Sequence, residues 1–202
     1  MAKPGVKPMP ESQKAEVRRT FIDAAKAVIR EGGLEALNTK TLGLRAGYSH
    51  TSLYNYFGDV NEVLCLAVEE LASECRDEVR DSLGTPGDLA AFVVSFSRLM
   101  IDHNTRNPQL YYPFLSTRID FSYFQRRDGH PFVHPAYTLL LDGLGSTPSP
   151  LQGDERRRRV FADILTYIFH SKLHFFLRFG VPGSVQALQA EVAEEVRFLL
   201  FP

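Results

Sequence analysis

In segment after segment of this chain the apolar residues recur every three to four positions, and no hairpin turn is flanked by alternating runs. That period is the signature of amphipathic helices, and a chain built on it alone is all-α. Val17, Phe21, Ala24, Ala25, Val28 and Ile29 form one such stripe, closed by Gly32-Gly33 as a left-handed cap would close it. Leu42 and Ala46 fit a short helix, and Ser49 is a natural cap for a second one reaching about Tyr56. Asp59 and Glu62 have capping-box spacing at the head of a long helix running to about Leu83. Thr85-Pro86-Gly87-Asp88 opens the next, with Pro86 at the favoured first position and a stripe of Leu89, Phe92, Val93, Phe96, Leu99, Met100 and His103. Asn107-Pro108 starts a shorter helix disturbed by Pro113. Residues 125–134 read as a loop, 135–143 as a brief helix, and Gly143 to Gly153 as a linker. Asp154 caps a long helix ended by Gly180 and Pro182, and Ser184 caps the last. The total is about nine helices and no sheet.

Composition sets the outer limits. With 202 residues, 44% hydrophobic and 23% charged, the chain has the makings of one or two ordinary globular domains. No apolar run approaches the ~20 residues that span a membrane. The first residues hold no apolar signal core, so a cytoplasmic protein without a membrane partner is expected. Cys65 and Cys75 lie ten residues apart on one expected helix, about 15 Å along its axis, too far to bond. The net charge of −1 conceals an asymmetry. Residues 1–57 carry nine Lys/Arg against five acids, a balance of +4, and the remainder is −5. A basic end on an acidic body suggests a polyanion partner at that end. Residues 1–10, with three prolines, a glycine and two lysines, read as a flexible basic arm.

The densest constellation is Thr39 to Phe57, TKTLGLRAGYSHTSLYNYF. Two short helices around a turn containing Gly47 make a helix-turn-helix, with Ala46 as the small residue where the helices cross. Leu42, Leu53 and Phe57 are placed to face Phe21 and Val28, giving a rigid three-helix head. The second short helix then presents His50, Thr51, Ser52, Tyr54, Asn55 and Tyr56, short polar and aromatic side chains suited to base edges and phosphates. Lys40, Thr41, Arg45 and Ser49 complete the expected DNA-binding set. The alternative is a helical hairpin that only packs.

The segment from about Ser12 to Leu66 resembles the DNA-binding head of the TetR family of bacterial regulators, through the long first helix ending in Gly32-Gly33, the LRAGYSHTSLYNYF run and the acid-capped helix that follows. The resemblance implies that His50–Tyr56 is the recognition helix, that Tyr54 and Tyr56 touch the DNA backbone, and that the chain dimerises through its last two helices. Two departures stand out. Val60 occupies a position where the family usually has a phosphate-contacting lysine, and Gly43 stands where alanine is usual, at roughly 1 kcal/mol of helix propensity. The domains follow: the arm at 1–10, the helix-turn-helix domain at 11–58, and a ligand-binding and dimerisation domain at 59–202.

The closing helices and the aromatic middle suggest the body's roles. Residues 160–179 are apolar around most of a helix, which then needs cover on several sides. Phe161, Ile168, Phe175, Phe176, Leu188, Val192, Val196 and Leu199 are the expected homodimer interface. An apolar effector pocket is expected among the helices near 88–104, 108–124 and 155–179, walled by Phe96, Met100, Tyr112, Tyr137 and Phe169, with His103 or His170 as polar anchor. His170 and His174 are one turn apart, but without a third ligand they read as a polar stripe and not a metal site. Arg156 to Arg159 reads as a solvated face. No nucleophile elbow, phosphate loop or zinc-protease motif is present, so no enzymatic activity and no cofactor are expected. The expectation as a whole is a homodimeric regulator, most simply a repressor, that binds an inverted-repeat operator in double-stranded DNA and is released by a small, largely hydrophobic effector. A helical ligand-binding or scaffold protein whose head no longer binds DNA is the alternative.

Overall fold

The structure is a computed structural model that describes residues 10–85, 87–115 and 118–200. The arm, apart from Pro10, and Pro86 lie outside the described residues. The described residues hold nine α-helices and no strand: α1 (Glu11–Gly32), α2 (Thr39–Ala46), α3 (Val60–Ser82), α4 (Leu89–Arg106), α5 (Pro108–Tyr111), α6 (Ser122–Asp128), α7 (Pro135–Ser146), α8 (Glu155–Phe179) and α9 (Val185–Leu200). Single turns of 3-10 helix occupy Leu34–Ala36, Ser52–Asn55 and Tyr112–Leu115. No described helix is long and apolar enough to cross a membrane.

Side-chain oxygens start the helices where the sequence places them. Asp59 accepts from the Glu62 amide at 2.8 Å, Asp154 from Arg157 at 3.0 Å, and Ser184 from Ala187 at 3.1 Å. Asp88 accepts from the Ala91 amide at 2.8 Å, so α4 begins at Leu89. The expected loop at 125–134 is helical in its first part. Asp120 caps the Ser122 amide at 3.0 Å, Phe124 is buried, and Gly129 ends α6 in the left-handed region. The expected linker from Gly143 also starts too early, since α7 continues to Ser146. Gly143 is a packing residue there: a Cβ on it would meet the Phe92 ring at 1.9 Å.

The chain divides into two compact units. The first comprises the described residues of Met1–Val68 and Tyr112–Pro131; the second is Glu69–Tyr111 with Phe132–Pro202, described to Leu200. In the first, the stripe of α1 is buried together with Leu42, Leu53 and Phe57. Residues 118–124 are built into the same unit. Arg118 donates to the carbonyls of Leu34 (3.0 Å) and Leu37 (3.2 Å) and pairs with Glu35 (2.9 Å). Asn61 and the Asp120 backbone exchange two hydrogen bonds, of 3.0 and 2.8 Å. The second unit has a core of Phe92, Val93, Ile101, Tyr111, Leu140, Leu144, Leu165 and Leu173, joined from α9 by Leu188, Val192 and Val196. Both cysteines are buried, and burial pushes each thiol up to about 12, consistent with unreactive packing residues.

One histidine in the second unit makes its stability depend on pH. The His134 ring caps α7, its Nδ1 accepting the Ala136 amide proton at 3.1 Å. Burial, with His170 and His103 nearby, pushes His134 down to about 4. An unfolded histidine takes up its proton near pH 6.5. Between these values the unfolded chain binds a proton that the native chain refuses, so stability falls as pH drops through that window. Burial lowers His170 in the same direction. The midpoint of thermal unfolding is therefore expected to fall by roughly 4–8 °C between pH 7 and pH 5 on account of His134. His134→Asn keeps an acceptor for the cap and removes the titration, so it should flatten the acid limb. An unchanged acid limb in that variant would contradict the assignment.

Candidate nucleic-acid interface

The helix-turn-helix is assembled by caps and one close approach. Asn38 Oδ1 accepts from the amides of Lys40 and Thr41, both at 3.0 Å, and Thr41 Oγ1 accepts from the Asn38 amide at 3.0 Å. This reciprocal capping box starts α2. The Asn-x-x-Thr spacing of Asn38 and Thr41 is the sequence signal for this cap, which the periodicity of α2 alone does not show. Thr41 also donates to the Ala36 carbonyl at 2.9 Å, so its hydroxyl serves the fold first. α2 ends at Gly47 with φ 74° and ψ 24°, a left-handed residue where glycine is unstrained. The Tyr48 amide then donates back to the Gly43 carbonyl at 2.9 Å. A Cβ on Gly43 would lie 2.9 Å from Tyr48 O and 3.0 Å from His50 Cα and N. The glycine that costs helix propensity is thus the one that lets the turn fold back onto α2.

The segment expected to be a recognition helix up to Tyr56 is a 3-10 turn, Ser52–Asn55. Ser49 Oγ accepts from the Ser52 amide at 3.2 Å and bonds the hydroxyls of Thr51 (3.0 Å) and Ser52 (2.7 Å). Such side-chain-to-backbone bonds offer the chain an alternative to α-helical pairing. Leu53 is fully buried beneath the turn. The Phe21 ring sits 5.3 Å from Tyr48, 6.4 Å from Tyr56 and 6.0 Å from Phe57, centroid to centroid. Arg18 lies 4.2 Å over the Phe57 ring, donates to the Tyr56 carbonyl and pairs with Glu62 at 2.7 Å. Glu62 in turn accepts from the Gly58 amide at 2.8 Å.

On this frame Lys40, Arg45, Ser49, His50, Thr51, Tyr54 and Asn55 are exposed, and Thr41, Ser52 and Tyr56 are half-buried. Tyr54 projects furthest among the aromatics of the turn, at 56% exposure. Tyr56 is tucked against Phe21. Arg45 pairs with Glu31 on the surface, an interaction weak enough to exchange for a phosphate. Val60, in place of the family's lysine, is half-buried at the start of α3.

The candidates in the body fall out differently. Phe96, Met100 and His103 are buried, and Tyr137, Phe169 and His170 half-buried, all in the second unit. Tyr112 is exposed and belongs to the first unit, away in the grouping from the other six. Tyr137 donates to Asp163 at 2.7 Å. A cleft of about 1040 Å³ in the second unit is lined by Leu89, Leu151, Val160 and Ile164, with Arg156 and Arg157 beside it, and contains none of the seven. Of the expected interface, Leu188, Val192 and Val196 belong to the chain's own core. Phe161, Ile168, Phe176 and Leu199 are half-buried, and Phe175 is exposed. Val160, Ile164, Tyr167 and Phe179 continue the exposed apolar face of α8, with Phe198 exposed on α9. Among the described residues no three His, Cys, Asp or Glu are grouped to hold a metal.

Gly43→Ala tests the close approach. Helix propensity alone would stabilise by roughly 1 kcal/mol. The collision with the Tyr48 and His50 backbone should reverse that sign and displace the 48–52 turn, seen as a lower unfolding midpoint and altered amide shifts. A more stable variant with an unmoved turn would show that the contact does not constrain the fold.

Comparison with known proteins places this geometry. Residues 21–64 match the family model for bacterial regulatory proteins, tetR family. No curated protein is detectably similar in sequence. Among solved structures, a tetR-family transcriptional regulator from Streptomyces coelicolor aligns with a TM-score of 0.64 at 15% identity, covering 92% of this chain and 80% of that one. The multidrug-binding protein EbrR, in complex with imidazole, gives 0.64 at 17% identity over 96% and 97% of the two chains. The repressor AlkX from a Dietzia species, implicated in n-alkane biodegradation, gives 0.57 at 20% identity over 97% of each. At these identities the structural matches establish the fold.

Proposed function

We propose that this chain, a member of the tetR family of bacterial regulatory proteins by its head and its fold, is a ligand-responsive regulator whose 49–56 surface binds operator DNA. The single observation that carries the reading is the presentation of that surface. A buried aromatic cluster and a capped turn hold His50, Thr51, Tyr54 and Asn55 outward on a rigid frame. Phosphate contacts fix register and base contacts carry sequence, and this surface offers both kinds of group. Lys40 and the exchangeable Arg45 supply the cations that Val60 does not.

The body serves dimerisation and sensing. The exposed apolar face of α8, from Val160 to Phe179, with Phe198 of α9, is the surface a second copy covers. Repression relieved by a small hydrophobic effector is the form of regulation we favour. EbrR is a multidrug-binding protein by name and AlkX a repressor, which lends support by analogy alone. An effector shifts operator affinity only by its differential affinity for the two forms, so ~3 kcal/mol of coupling would weaken DNA binding about 150-fold.

The full chain should select a discrete inverted repeat from genomic fragments at low salt. Thr51→Val or His50→Ala should change which base is preferred at one position per half-site, at a cost of ~1–3 kcal/mol. Lys40→Ala should weaken binding to all sequences and reduce the salt slope by about 1. Failure of the wild type to retain any fragment would defeat the proposal. Separately, Tyr167→Asp and Phe175→Asp should convert a dimer to a monomer in sedimentation at micromolar concentration. A wild type that is already monomeric would contradict the assignment of that face.

A further inference from the structure

The arginine run Arg156–Arg159 that opens α8 is only partly engaged by the chain's own groups. Arg159 pairs with Glu155 at 2.8 Å. Arg158 lies against Gly145 and reaches the Leu151 carbonyl at 3.5 Å. Among the described residues the guanidinium groups of Arg156 and Arg157 meet no carboxylate and no other acceptor. Both are exposed, and both line the cleft of about 1040 Å³ in the second unit. Cations in the first turn of a helix oppose its macrodipole, so α8 gains nothing from them. The two carboxylates that share the cleft, Asp88 and Asp154, are committed to caps. They accept from the Ala91 amide at 2.8 Å and the Arg157 amide at 3.0 Å.

The rest of the cleft wall is largely apolar and built in advance. Leu89 and Ala90 come from the start of α4, Val160 and Ile164 from α8, and Leu199 and Leu200 from the end of α9. The remaining side is the 148–151 segment, where Pro148 and Pro150 restrict the backbone. Ser149 closes this segment on itself. Its carbonyl accepts from the Gln152 amide at 3.0 Å and its hydroxyl from the Leu151 amide at 3.2 Å. Leu151 is buried, and its carbonyl receives Arg158. A concave, mostly apolar wall with a few placed polar groups is the usual form of a small-molecule site, and a wall already ordered loses little entropy on binding.

We infer that this cleft binds an amphipathic anion, a carboxylate on an apolar chain, with its head on Arg156 and Arg157 and its chain along Leu89, Leu151, Val160 and Ile164. The planar guanidinium fork matches a carboxylate in charge and in hydrogen-bond geometry. An uncharged head of the same chain gains only the apolar contacts and leaves both guanidiniums in water. A cationic head meets them as like charges. The chain lies where α8 begins the face proposed for a second copy, so the ligand sits at the edge of that interface. The inference gives the sensing role proposed for the body a ligand class and a place. Its regulatory meaning rests on that reading, and the binding itself does not.

The test titrates the full chain calorimetrically with decanoate, 1-decanol and decyltrimethylammonium, each below the concentration at which it aggregates. Decanoate should bind about tenfold more tightly than 1-decanol, with the cation weakest, and only the decanoate affinity should fall as salt is raised. Arg156→Gln with Arg157→Gln should bring decanoate down to the level of 1-decanol and leave 1-decanol unchanged. Neutralising Arg178, exposed at the far end of α8, should leave decanoate binding as it was. Ala90→Trp, which fills the cleft, should weaken decanoate and 1-decanol together. Equal or tighter binding of the alcohol or the cation, no binding of decanoate, or an equal loss on neutralising Arg178 would overturn the inference. So would an Arg156→Gln, Arg157→Gln chain that binds decanoate as before but sediments as a monomer where the wild type is a dimer, which would assign these arginines to the second copy. Retention of genomic DNA by the same preparation is read without ligand. DNA retained while decanoate fails to bind would defeat this site and leave the regulator standing. Decanoate bound while no DNA is retained would uphold the site and defeat the regulator.

Discussion

The surface proposed to read DNA depends on the burial of Phe21. Its ring, fully removed from solvent on α1, meets the rings of Tyr48, Tyr56 and Phe57, so both flanks of the 49–55 turn are anchored to one side chain. Arg18, one helical turn earlier, holds the end of the same turn through the Tyr56 carbonyl, the Phe57 face and Glu62. A 3-10 turn of four residues is too short to hold its own shape, since helices of this length are unstable in isolation. Its geometry is imposed from below by Leu53 and from the sides by these contacts. Removing Phe21 would cost on the order of 3–5 kcal/mol, a large share of the stability of a small domain, and would release the turn without altering any of its exposed side chains.

What could be read in the sequence follows from the range of the forces involved. Helices announce themselves through local period and caps, and the stripes of α1, α4 and α9 and the caps at Asp59, Asp154 and Ser184 stand where the residues put them. The helix-turn-helix is equally local, because Gly47, Leu53 and Phe57 are defined within twenty residues of one another. Gly43 shows the limit. Propensity marks it as a weak point of α2, and only the backbone of residues 48–50, folded back against it, shows why a side chain is excluded. Gly143 is the same lesson, a glycine that reads as linker until Phe92 is seen against it.

Longer-range features were the least legible. Nothing in the periodicity of α9 distinguishes a stripe that meets a second copy from one that meets its own α4, and Leu188, Val192 and Val196 proved to be core. Of the exposed aromatics of these helices, Phe175 is in the expected set, and Tyr167, Phe179 and Phe198 lie outside it. Nor does the sequence show that residues 118–124 join the first unit through Arg118 and the Asn61–Asp120 pair. A guanidinium that binds two backbone carbonyls some eighty residues away leaves no trace in local composition. His134 is no more legible from local pattern, because its role as a cap depends on the helix that starts just after it.

The account depends on the 49–56 surface being where DNA binds. Amide hydrogen exchange of the full chain, compared with and without a selected operator fragment, tests this most directly. Protection gained on adding DNA should concentrate in residues 38–57. Protection confined to α8 and α9, or absent from the 49–56 turn while DNA is demonstrably bound, would contradict it.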